Sequence, residues 1–123
     1  MKDVLKKVTI AYIDYLIIER VKTIRTKKGI SRKQLSVGMK LSPSFVGKVE
    51  DLSQRDKYSI RHLPLLAKGL NLTSLSEILP DNIPSEDMVE ITYIKVPKLG
   101  EDGAEKKQLE DKVISIKAVE KNK

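Results

Sequence analysis

The sequence predicts a mainly α-helical domain of five helices over residues 14–80, followed by a C-terminal extension, residues 81–123, that folds as a β-hairpin. Apolar residues recur at helical spacing in successive segments up to Pro80, and those segments carry cap signals at their ends. Beyond Pro80 this spacing gives way to β-branched, partly alternating runs. Apolar residues make up 40% of the chain and aromatics only 4%, which suits an aliphatic core of packed helices.

Residues 1–13 read as an N-terminal arm or an extension of the first helix. The stretch KKVTIAYI has the β-branched content of a strand, yet Val8, Ala11, Tyr12 and Tyr15 also suit a helix that begins early. The first helix, 14–28, places Leu16, Ile17, Val21 and Ile24 on one face. Asp14 serves as N-cap, Gly29 as the residue just past the C-terminus, and Lys27 and Lys28 complement the helix dipole. In the second helix, 31–39, Ser31 and Gln34 form a capping box, with Leu35 and Met39 facing inward. The third, 43–50, has Ser42 as N-cap and Pro43 at its first position, where a missing N–H costs nothing; Val46 and Val49 face the core.

A polar loop, DLSQRDKYS, separates this helix from the fourth, 60–70, which carries Leu63, Leu66, Ala67 and Leu70. Pro64 sets the regular start near Leu63 or distorts the first turn. Asn71 takes the left-handed position that ends the helix. Ser74 and Glu77 cap a short fifth helix that Pro80 ends after Leu79. MVEITYIKV, 88–96, reads as a strand; KLGEDGAEKKQLEDK is charged and turn-prone; VISIKAV, 113–119, reads as a second strand. A helix with Leu109, Val113 and Ile116 on one face is the rival for that last segment.

The net charge of +7 is unevenly placed. Residues 14–80 hold 13 Lys and Arg against 6 Asp and Glu, whereas residues 81–123 hold 8 against 10. A basic domain attracts polyanions because each cation–phosphate contact releases condensed counterions; a solvated lysine-rich surface is the plain alternative. With no cysteine there is no disulfide framework and no thiolate metal or redox site, and a reducing cytoplasm is the expected location. No apolar run approaches 18 residues and no secretory h-region is seen, so no membrane association is expected. The sequence offers no nucleophile–base arrangement and no Gly-rich phosphate loop, so no enzyme, cofactor or metal is expected. His62 reads as a cap or half-buried residue rather than a ligand. Asp102, Glu105, Glu110 and Asp111 read as solvated loop carboxylates.

The second and third helices are joined so closely that they form a helix-turn-helix, with the small Ser36 where the two must approach. IRTKKGISRKQLSVGMKLSPSFVGKVE followed by LPLLAKGLNLTSLSEIL resembles the Xre/Cro family of helix-turn-helix regulators, the lambda-repressor-like fold, over residues 17–79. The spacing from Leu35 to Glu50 is kept without insertion. Three departures stand out. Lys40 occupies the turn where the family has Gly, Arg32 replaces the usual Gln at the start of the second helix, and the loop 51–59 is longer.

The resemblance implies a sequence-specific binder of double-stranded DNA, a transcriptional repressor, acting as a homodimer with the third helix in the major groove. By the same resemblance Pro43, Ser44, Phe45, Gly47 and Lys48 face the bases. Ser44 and Lys48 have polar groups for base edges and Phe45 a ring for a thymine methyl. Pro43 and Gly47 have none, so DNA shape is expected to carry much of any specificity. Candidate phosphate contacts are Arg32, Lys33, Gln34, Lys40, Arg55, Lys57 and Tyr58, each of which could equally be ordinary surface. Arg25 and Glu50 are expected to pair within the domain. The alternative function is an antitoxin or interaction module whose C-terminal tail binds a partner protein.

Overall fold

The computed structural model describes residues 4–99 and 105–119. Its elements run β1 (Lys6–Ala11), α1 (Tyr12–Lys27), α2 (Arg32–Gly38), α3 (Phe45–Glu50), α4 (His62–Gly69), a 3-10 turn (Leu75–Glu77), β2 (Met88–Leu99) and β3 (Glu105–Ala118). The chain divides into a helical unit, Ala11–Asp87, and a sheet unit built from the segments on either side of it in sequence.

The expected five-helix, mainly α domain does not hold. Four α-helices are present among the described residues, three of them with seven residues or more, alongside a three-stranded antiparallel sheet. The fifth helix shrinks to the single turn Leu75–Glu77. Its capping box forms as expected, with Ser74 accepting from Ser76 N–H and Glu77 reaching back to Ser74 N–H. Pro80 then lacks an N–H and disfavours the helical conformation at Leu79, so no second turn is added. The N-terminal segment resolves as a strand up to Ala11, so α1 begins at Tyr12 and Asp14 sits in its first turn rather than capping it.

Three helices of the helical unit end in the same way. After α1, α2 and α4 the chain enters the left-handed region at Gly29 (φ 70°), Lys40 (φ 61°) and Asn71 (φ 56°). Each time the next two N–H groups return to carbonyls of the last turn: Lys40 to Val37 at 2.9 Å and Leu41 to Ser36 at 3.0 Å after α2. Gly29 adopts this conformation freely, whereas Lys40 bears the strain of a Cβ there. In α4, Pro64 is the third residue, where its missing N–H breaks no intrahelical bond. Leu35, Met39, Val46, Val49, Leu66, Leu70 and Ile78 are buried, giving the aliphatic core that the composition calls for. Gly69 lets α4 pack closely on α2, because a Cβ on it would lie 2.8 Å from Leu35 Cδ1 and make that side chain shift.

In the sheet unit the strand order is β1-β2-β3, with β2 central and β2 and β3 antiparallel. Ile91 pairs with Ile116, and Thr92 with Ser115; Tyr93 then pairs with Val113, so Ile114 is the extra residue of a bulge. β3 begins at Glu105, inside the stretch expected to be a loop. Glu110 and Asp111 are therefore strand residues, and Asp111 pairs with Lys95 opposite it. Asp102 lies outside the described residues. Among the described residues no helix is long and apolar enough to cross a membrane.

Candidate functional site

α2, its turn and α3 place most of the sequence-predicted residues. α3 begins at Phe45 rather than Pro43 and has only six residues, so its N-cap is Ser44 rather than Ser42, and Ser44 makes no capping bond through its side chain. The missing cap comes from α2. Ser36, fully buried, accepts a hydrogen bond from Val46 N–H (2.9 Å) and donates one to Arg32 O (2.8 Å). One hydroxyl thus satisfies an N-terminal donor of α3 and pins it to α2. The sequence showed Ser36 as small, but its capping role depends on contact between residues ten apart.

The C-terminal end of α3 is fixed by charge. Glu50, buried, accepts from Arg25 Nε (2.9 Å) and Nη2 (2.8 Å), a bidentate pair to α1, as the sequence predicted. Arg25 Nη1 also donates to Ile30 O at 2.9 Å. Arg32 Nε donates to the same Glu50 oxygen as Arg25 Nη2, at 3.0 Å, so α1, α2 and α3 meet at one carboxylate. Arg32 therefore braces α3. Two guanidiniums face one carboxylate, and the group keeps a net positive charge.

An aromatic cluster supports the start of α3. The Phe45 ring lies 4.8 Å from His62 and 6.0 Å from Tyr58, centroid to centroid. Phe45 is half-buried and turned onto these rings, which removes much of its face from solvent. Tyr58 is buried at 8% exposure and its hydroxyl has no hydrogen-bond partner among the described residues, so it packs beneath α3 rather than reaching outward. Burial, and next the Glu50 carboxylate, hold its phenol above the ordinary range. His62 Nδ1 accepts from Ser59 N–H at 2.8 Å, a cap as anticipated. Burial, then the Arg61 charge, push its pKa below the usual 6.5.

The outward side of α3 presents Ser44 and Lys48, both exposed, with half-buried Gly47 between them; Pro43 is exposed just before the helix. A Cβ on Gly47 would meet only Arg32 Cδ, at 3.8 Å, so the stem of Arg32 runs beside the bare stretch of α3. Lys33 and Lys40 are exposed at opposite ends of α2. Gln34 is exposed, but its amide oxygen accepts from Ser31 N–H in the capping box. Arg55 is exposed in the loop, whereas Lys57 is half-buried and folds back to donate to Gln54 O and Asp56 O. The structure brings Arg32, Ser44, Gly47 and Lys48 together; Tyr58 and Phe45 belong to their support. Among the described residues no group of three or more His, Asp or Glu is placed to hold a metal ion. Comparisons with family models, curated proteins and solved structures give no match for this chain.

Proposed function

We propose that this chain binds double-stranded DNA as a transcriptional repressor of the Xre/Cro type, with α3 laid in the major groove. The observation that carries the reading is the two-sided character of α3. Its inner side is held by Val46 and Val49 in the core, by the Ser36 hydroxyl and by the Arg25–Glu50–Arg32 group. Its outer side offers Ser44, Gly47 and Lys48, small or cationic, with no carboxylate to repel phosphate. A rigid helix with such a face can approach base edges, while Lys33, Lys40 and Arg55 supply charge for the backbone. The basic excess of residues 14–80 supports the same reading.

One such unit spans few base pairs, so the protein acts as a homodimer on a pseudo-palindrome with half-sites about one helical turn apart. The sheet unit, with β3 at its edge, supplies the contact between copies. The protein works in the cytoplasm, without enzymatic activity or cofactor. Selection of bound duplexes from a random pool at two salt concentrations tests this: a recurrent two-fold motif is expected, and failure to retain any duplex at low salt rejects it.

A second reading, an antitoxin or interaction module, is favoured by β3, where Leu109 (55%), Ile114 (51%) and Ile116 (40%) are exposed. It predicts a stoichiometric protein partner held through residues 84–119 and lost when they are removed.

A further inference from the structure

We infer that Arg32, from α2, reads a guanine base edge across the gap left by Gly47, and so supplies the specific contact that α3 itself lacks. The inference rests on the DNA-binding reading above and names a base preference within it.

Three features of the site converge. The first is the bare face of α3. Ser44 and Lys48 frame Gly47, whose missing side chain leaves a gap in the face proposed to meet DNA. Arg32 Cδ lies 3.8 Å from where a Cβ on Gly47 would sit, so the arginine stem reaches that gap from the neighbouring helix.

The second is orientation. Glu50 holds Arg32 Nε at 3.0 Å, and Glu50 is itself fixed by the bidentate bond from Arg25. A planar guanidinium held at Nε keeps its terminal nitrogens as a fork of defined direction. Such a fork matches the O6 and N7 acceptors of guanine, and having its rotamer fixed beforehand reduces the entropy lost on binding.

The third is charge. One carboxylate serves two guanidiniums, so one positive charge stays uncompensated. Arg25 has 5% of its side chain exposed and Arg32 has 28%, so that charge is expressed at Arg32. A phosphate would accept the same charge and the same fork, but it would have no use for the gap at Gly47. The gap favours the base edge.

The test is duplex selection with the full chain, comparing wild type, Arg32→Lys and Arg32→Gln. Both variants leave Arg25 on Glu50, and thermal unfolding verifies the fold. Wild type should select guanine at one position in each half-site. Arg32→Lys keeps the charge and loses the fork, so its discrimination at that position should fall about ten- to a hundredfold, well beyond any change in its affinity for an unrelated duplex at the same salt. Arg32→Gln should lose the guanine preference as well, so the result does not depend on one variant folding. A uniform loss across all duplexes makes Arg32 a phosphate contact and overturns the assignment, as does an unchanged guanine preference in both variants. If wild type selects no motif at all, the DNA-binding reading falls, and this inference with it; a motif that both variants retain removes Arg32 alone.

Discussion

Gly47→Ala should move stability and DNA affinity in opposite directions. Glycine inside a helix is worth about 0.5–1 kcal/mol less than alanine, because it loses more backbone freedom on folding. Nothing in the structure opposes that gain: the new methyl meets only Arg32 Cδ at 3.8 Å, an ordinary contact, and Gly47 does not have a positive φ. The variant should therefore unfold about 0.5–1 kcal/mol later, a rise of roughly 2–6 °C in Tm. The same methyl stands on the face proposed to approach the bases and should weaken specific DNA binding about fivefold or more, near 1 kcal/mol. Urea denaturation and a binding titration on one preparation read both. A variant less stable than wild type would refute the packing at Gly47. A stabilised variant with unchanged affinity would show that this face does not closely meet DNA.

Lys40→Gly should stabilise the fold by about 1 kcal/mol, since φ 61° is free for glycine and strained for lysine; chemical denaturation checks it. Ser36→Ala should cost about 1–3 kcal/mol in the same assay, because it leaves Val46 N–H without its acceptor beneath α3. For His62, the folded state binds its proton less readily than the unfolded state, whose pKa is near the ordinary 6.5. Its contribution to stability is complete above that value and is lost as pH falls through the lower, folded value. Denaturation between pH 7 and pH 5 should show a steeper loss for wild type than for His62→Gln, and equal slopes would exclude the linkage.

Local chemistry was legible in the chain. Ser31 with Gln34, Ser74 with Glu77, Gly29 and Asn71 all act within a few residues of themselves, and each stands where its spacing put it. The strand at 88–96 was legible too, since alternation is a local pattern, whereas 113–119 suited a helix as well as a strand and the start of β3 at Glu105 lay in a stretch with loop composition. What escaped depends on distant partners. The segment 6–11 had the composition of either element, and its neighbour in the sheet, β2, begins at Met88. A capping box announces a first turn without saying how many follow, so the spacing predicts a helix where the chain forms a single 3-10 turn at Leu75. In the candidate site, the exposure of Ser44 and Lys48 followed from helical periodicity. The inward turn of Phe45 did not, because it answers to His62 and Tyr58 across the loop. The sequence marks Ser36 by its small size alone, while its hydroxyl acts on another helix.

The central claim is that the outer face of α3 meets DNA. The most direct measurement is a map of backbone amide chemical shifts as a selected duplex is added. The largest changes are expected at Ser44, Gly47 and Lys48, with smaller ones near Lys33, Lys40 and Arg55 and little along β2 and β3. Saturable binding with the amides of α3 unmoved would contradict the claim.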